Sequence, residues 1–148
     1  MKRLICSLLI AYLIISVLPF CSAASENDRI NFDDGSYITI EISSFQTRAA
    51  GTVSGSKTYT FYDSDDTLAW NAVLRGTFSY TGSLATCSSA TCDVTIYDSA
   101  WYTISKSAGK SGNTANASVT MGYKVLGITV NKVPINMSLS CDANGNLS

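Results

Sequence analysis

From residue 37 onward apolar and polar residues alternate with a period of two, the pattern of strands with one buried face. Ile38, Ile40 and Ile42 share one face; Tyr59 and Phe61 share another, opposite Thr58, Thr60 and Tyr62. Residues 69–80 give the clearest strand, with Trp70, Ala72, Leu74, Phe78 and Tyr80 in phase and Gly76 interrupting them, a sign of a bulge or bend. Residues 92–97 and 101–106 predict shorter strands around Asp98-Ser99. Residues 114–124 alternate again, with Ala115, Ala117, Val119, Met121 and Tyr123 inward. Residues 127–140 change phase: Ile128 and Val130 are even, whereas Val133, Ile135, Met137 and Leu139 are odd. A one-residue slip reverses every face, so this predicts a bulge near Asn131-Lys132, with Pro134 at an edge or beside it. Ile30 and Phe32 run into Asp33-Asp34-Gly35, a turn signal. No helical period follows residue 24. Seven to eight short strands predict an all-β fold, an antiparallel β-sandwich that is Ig-like only in general architecture, because no Cys…Trp…Cys order occurs.

The first 24 residues belong to a different population. Lys2 and Arg3 precede an apolar run over residues 4–20, Pro19 breaks it, and Ser22, Ala23 and Ala24 follow. This is the layout of a secretory signal peptide, with cleavage after Ala23 or Ala24. An uncleaved anchor needs roughly 20 apolar residues, and a lipoprotein built on Cys21 would have bulky Phe20 where a small residue is wanted. The chain is therefore expected to be secreted, with no stable membrane span after cleavage. The expected organisation is a signal peptide (1–24), an N-terminal β-hairpin segment (25–46), a linker (47–56) without apolar pattern, and a β-sandwich domain (57–148). Removing the signal lowers the apolar share from 46% to about 40%, enough for one ordinary core.

Charge excludes more than it suggests. Loss of Lys2 and Arg3 leaves eight Lys/Arg against eleven Asp/Glu, with neither sign concentrated along the sequence. No basic stripe argues for nucleic acid. The chain has no His, which removes His-based triads, His general bases and His metal sites. Of five Cys, Cys87, Cys92 and Cys141 remain outside the signal, in an oxidising compartment. A Cys87–Cys141 bridge would close a long loop worth about 4 kcal/mol on the chain-entropy model, against about 2 kcal/mol for Cys87–Cys92. The longer bridge is preferred, leaving Cys92 as a free or intermolecular thiol.

Candidate chemistry is sparse. Asp63-Ser64-Asp65-Asp66 is acidic but lacks the EF-hand ligand ladder, and Asp142-Ala143-Asn144-Gly145-Asn146 carries a strong turn signal, so both read as solvated turns. No metal or cofactor is expected. Ser107 to Lys110 contains S-x-x-K without partner motifs. Most aromatics fall on core faces; Tyr62, Tyr97 and Tyr102 fall outside that phase and are the candidate ligand-facing rings. Asn116, Asn136 and Asn146 open glycosylation sequons, relevant only in a glycosylating host. Thr60-Phe61-Tyr62-Asp63-Ser64 with Ala69-Trp70 is echoed by Thr95-Ile96-Tyr97-Asp98-Ser99 with Ala100-Trp101, two strand–turn–strand units with Trp opening the second strand.

Five blocks carry a resemblance: residues 48–52 (Arg48 to Thr52), 54–62 (Ser54 to Tyr62), 76–82 (Gly76 to Gly82), 107–115 (Ser107 to Ala115) and 139–148 (Leu139 to Ser148). Together they resemble a family of small secreted proteins of clostridia-like Gram-positive bacteria, classed as a domain of unknown function, over residues 35–148. The resemblance implies a signal peptide and counterparts of Cys87 and Cys141; Cys92 departs from the family pattern. It implies no activity and carries over no functional residue. The expected function is non-enzymatic: a secreted β-sandwich protein that binds an extracellular protein or glycan. A secreted antimicrobial or membrane-active protein and an unrecognised hydrolase using turn acids are the alternatives.

Overall fold

The computed structural model describes residues 28–46 and 51–148. The signal segment, the first residues of the N-terminal hairpin segment and residues 47–50 of the expected linker lie outside the described residues. The described chain forms eight strands and no helix: β1 (Asp28–Asn31), β2 (Tyr37–Gln46), β3 (Thr52–Tyr62), β4 (Leu68–Tyr80), β5 (Ala85–Ile96), β6 (Trp101–Ser111), β7 (Thr114–Val125) and β8 (Ile128–Ser140). All pairings are antiparallel. One sheet has the order β1-β2-β3-β4-β5 and the second β6-β7-β8, so the chain meanders through each sheet and changes sheet once, between β5 and β6. This is the expected all-β architecture of two packed antiparallel sheets.

The alternation read in the sequence sets the inner faces. Ile38, Phe61, Trp70, Leu74 and Phe78 of the larger sheet are buried against Ala115, Val119, Met121 and Leu139 of the smaller. Phe61, Trp70 and Trp101 meet at one end, with Phe61 stacked on Trp70 (5.1 Å between centroids, 5° between planes) and Trp101 tilted against both. The two halves of the sequence echo thus have different outcomes. The first is a β3–β4 hairpin, whereas the second carries the chain across the sandwich and delivers Trp101 onto Trp70.

One expectation is corrected, and two bulges are found near where the pattern placed them. Residues 52–56, read as linker, are the first half of β3, paired to both β2 and β4, with Val53 buried. Small residues hid this strand: a Cβ on Gly55 would lie 2.7 Å from the Ser43 carbonyl and against Leu147. The N-terminal hairpin is consequently part of the larger sheet, since β2 pairs with β3 along its whole length. The bulge or bend read at Gly76 is present just after it. The Phe78 ring folds back into the space a Cβ would take (2.6 Å), and the register shift falls between Thr77 and Phe78. The phase change in β8 is the expected bulge near Asn131, with Tyr123 opposite Asn131 and Lys124 opposite Thr129.

Charge is less dispersed than expected, because residues 99–141 hold four Lys and no carboxylate and form the smaller sheet. Strands β6, β7 and β8 carry Lys106, Lys110, Lys124 and Lys132 and no carboxylate. Lys106 and Lys110 stand opposite the buried Val119 and Ala115, and the Lys110 ammonium donates to the Ser88 carbonyl on β5. Inward-pointing lysines on an edge strand discourage further strand pairing.

Candidate functional site

One end of the sandwich gathers three acidic turns and a projecting hairpin. The turn before β2 touches the β3–β4 turn, with a Cβ on Gly35 placed 3.5 Å from Ser64 Cβ. The β5–β6 crossing joins the same end, and its Ala100 carbonyl accepts from Lys124 N at the root of the β7–β8 hairpin. Between them lies a cavity of about 250 Å³ lined by Phe61, Trp101 and Tyr123 on its apolar side and by Asp34, Asp63 and Asp98 on its polar side.

Each of these carboxylates is committed to its own turn. Asp34 Oδ1 accepts from Ser36 N and Oγ, Asp63 Oδ1 from Asp65 N and Thr67 N, and Asp98 Oδ1 from Ala100 N. The Ser36 bonds hold the Asp34 carboxyl below its ordinary value. A glycosidase-type acid needs the opposite shift. Among the described residues no group of His, Cys, Asp and Glu is arranged to hold a metal ion.

At the far end the Asp142 turn follows the same physics. Asp142 Oδ1 accepts from Asn144 N and Asn146 N, and Oδ2 from Asn146 Nδ2. These bonds, chiefly those from Asn146, lower its carboxyl from the ordinary value. A carboxylate whose folded pKa is depressed contributes stability above its unfolded pKa, and that stability is lost as pH falls through the folded value. Stability is therefore expected to fall below about pH 4. Urea midpoints between about pH 2 and 7 should show a shallower acid limb in the Asp34→Asn/Asp142→Asn double variant; an unaltered limb would rule the two turns out as its source.

The three candidate tyrosines are not brought together. Tyr62 lies on the outer face of the larger sheet, stacked on Tyr37 at 5.0 Å and 17°. Neighbouring strands are about 4.8 Å apart, so the two rings stand upright across the strands, face to face. The Arg29 guanidinium, on the β1 side, covers Tyr37 at 3.5 Å. This pair presents ring edges, not a flat sugar-binding platform, and the Tyr37 hydroxyl titrates above its ordinary value because it bonds the Asp66 carboxylate. Tyr97 is exposed beyond β5 and accepts from Asn71 Nδ2 at 3.2 Å. Tyr102 lies on the outer face of the smaller sheet: its ring covers Gly122, its hydroxyl bonds Thr129 Oγ1 at 2.6 Å, and Lys124 Nζ sits 4.0 Å above it.

The hairpin tip was not singled out by the alternation, yet among the described residues it joins a left-handed backbone to exposed aliphatic side chains. Leu126 (φ 51°) and Gly127 (φ 81°) both occupy the left-handed region, as a two-residue type I′ turn requires. Asn-Gly or Gly-Gly is the usual solution, because an ordinary L-residue there costs about 1–2 kcal/mol. Leu126 is 98% exposed and is flanked by the exposed Val125, Ile128 and Val130. The signal was present as Val-Leu-Gly-Ile where a turn needs Asn-Gly.

The three cysteines are buried free thiols, so the expected Cys87–Cys141 bridge is not formed in this structure. Cys87 Sγ instead donates to the Ser89 carbonyl and Cys141 Sγ to the Asp142 carbonyl. Burial pushes all three thiols above their ordinary value. Comparison with family models, curated proteins and solved structures finds no match to the chain.

Proposed function

We propose that the mature chain is a secreted, non-enzymatic β-sandwich protein that binds an extracellular protein or glycan through its loop end. The observation that carries this reading is Leu126, held in a left-handed conformation and fully presented to water at the hairpin tip. Both features work against the stability of the isolated domain, and a contiguous apolar patch on a polar rim is the usual mark of an interaction surface. A hydrolase is disfavoured by the lowered Asp34 and by carboxylates already occupied with turn backbone.

Leu126→Asn turns the tip into Asn-Gly. This variant is expected to be more stable by about 1 kcal/mol, read from urea midpoints, and to lose the ligand. Wild type and variant are compared on a glycan array and by pull-down from extracellular protein. A ligand retained by wild type and lost by the more stable variant supports the proposal; equal retention by both, or substrate turnover without any retained ligand, refutes it.

The same reading includes export. N-terminal sequencing of the secreted protein is expected to start at Ala24 or Ser25. In that oxidising setting Cys87 and Cys141 are the proposed bridging pair and Cys92 the remaining thiol.

A further inference from the structure

We propose that the loop end docks a cationic, amphipathic polypeptide, an inference that rests on reading this end as the binding surface. Two observations select the partner. The uncovered apolar surface of the hairpin is aliphatic (Val125, Leu126, Ile128 and Val130), whereas among the rings at this end Phe61 stacks on Trp70, Tyr37 stacks on Tyr62, Trp101 tilts against Tyr123, and Tyr97 is left exposed. Neutral glycans are held by open aromatic faces, so an aliphatic tip favours protein over sugar. The surroundings of the tip are acidic. Asp33, Asp34, Asp63, Asp65, Asp66 and Asp98 lie on the three turns packed around the hairpin root.

None of these six forms an ion pair; among the described residues the single salt bridge is Arg75–Asp93, on the outer face of the larger sheet. The cations at this end are fewer and partly engaged: Arg29 lies over Tyr37, Lys124 lies over Tyr102, and Lys132 borders the hairpin. Apolar contact at the tip with unneutralised carboxylates behind it fits a partner that alternates aliphatic and basic side chains. Such complementarity selects the partner and speeds encounter. An anionic bilayer meets the opposite situation, since its surface potential repels the same carboxylates. A zwitterionic bilayer would strip their water without supplying a counter-charge.

The test uses the mature protein and three probes: a fluorescein-labelled peptide of alternating Leu and Lys, the same peptide with Glu for Lys, and phosphatidylcholine vesicles with phosphatidylglycerol. Anisotropy and co-sedimentation are read at low and high salt. The cationic peptide is expected to bind, at least tenfold more weakly in Leu126→Asn and in Asp33→Asn/Asp65→Asn. Those two carboxylates hold no turn bond, so circular dichroism should show an unchanged fold. High salt should weaken binding as well. Binding of the acidic peptide or the vesicles, lost in Leu126→Asn, overturns the cationic partner while leaving the loop end as a binding surface. Cationic binding indifferent to Leu126→Asn overturns both, and silence in every arm overturns the inference.

Discussion

Trp70→Ala is expected to destabilise the domain by about 3–5 kcal/mol, the range for removing a large aromatic from a packed core. Trp70 is fully buried and forms the hinge of the aromatic cluster: Phe61 stacks on it, and Trp101 reaches it from the other sheet. Its removal therefore takes away ring contacts within the larger sheet and across the sandwich together. For a domain whose total stability is typically about 5–15 kcal/mol, this is a large share. The indole brings a cost of its own, because Nε1 is buried without a hydrogen-bond partner. Trp70→Phe keeps an aromatic ring and removes that orphan donor, whose burial costs about 1–3 kcal/mol. The Phe variant should consequently lose much less than the Ala variant. Urea midpoints at constant m-value measure both. A loss below about 1 kcal/mol in Trp70→Ala would mean that the two sheets are not joined through this cluster.

The core was legible because it is periodic. Once Trp70, Ala72, Leu74 and Phe78 are placed on one face, and Ala115 to Met121 on another, two amphipathic sheets have only each other to cover them. Residues 52–56 escaped for a physical reason: β3 there carries one large apolar side chain, Val53, among small polar residues, and Gly55 is covered by the Ser43 backbone and Leu147, which no local pattern reveals. Gly76 was ambiguous for a related cause, and Gly122 shares it. Each leaves a vacancy that a ring fills from two residues along the strand or from the next strand, Phe78 in one case and Tyr102 in the other.

The candidate site was legible only in pieces. Asp34, Asp63 and Asp98 each read as an isolated turn, and the sequence holds nothing that sets three turns and the β7–β8 hairpin at one end. Strand order does that. The charge asymmetry, by contrast, was present in the sequence, since residues 99–141 hold four Lys and no carboxylate, and topology only assigns that stretch to the smaller sheet. Phase singled out Tyr62, Tyr97 and Tyr102 correctly as residues off the core face, but said nothing about what covers their rings.

Oxidation of Cys87 and Cys141 is expected to raise stability by about 4 kcal/mol on the chain-entropy model, through closure of the long loop between them. The backbone holds the pair ready: Cys87 N donates to the Gly112 carbonyl at 2.8 Å and Cys141 N to the Asn113 carbonyl at 3.0 Å, so consecutive carbonyls of the β6–β7 turn clasp both residues. Burial pushes the Cys141 thiol upward, and the Asp142 carboxylate and then Cys87 add to it. Cys92 sits farther along β5, opposite Leu74 and equally buried. Raised thiols react slowly, so the bridge should form while the chain folds. Refolding with oxidised glutathione supplies the acceptor: the two thiols lose two protons, and their two electrons reduce one glutathione disulfide. Peptide mapping should then find Cys87 joined to Cys141, with a midpoint that falls on adding reductant. Cys92→Ser should keep that difference and Cys141→Ser abolish it. A Cys87–Cys92 peptide, or equal midpoints in both redox states, would defeat the assignment. The bridge would tie β5 to the end of β8 at the end opposite the hairpin, so a rigid base would support a loop end left open for contact.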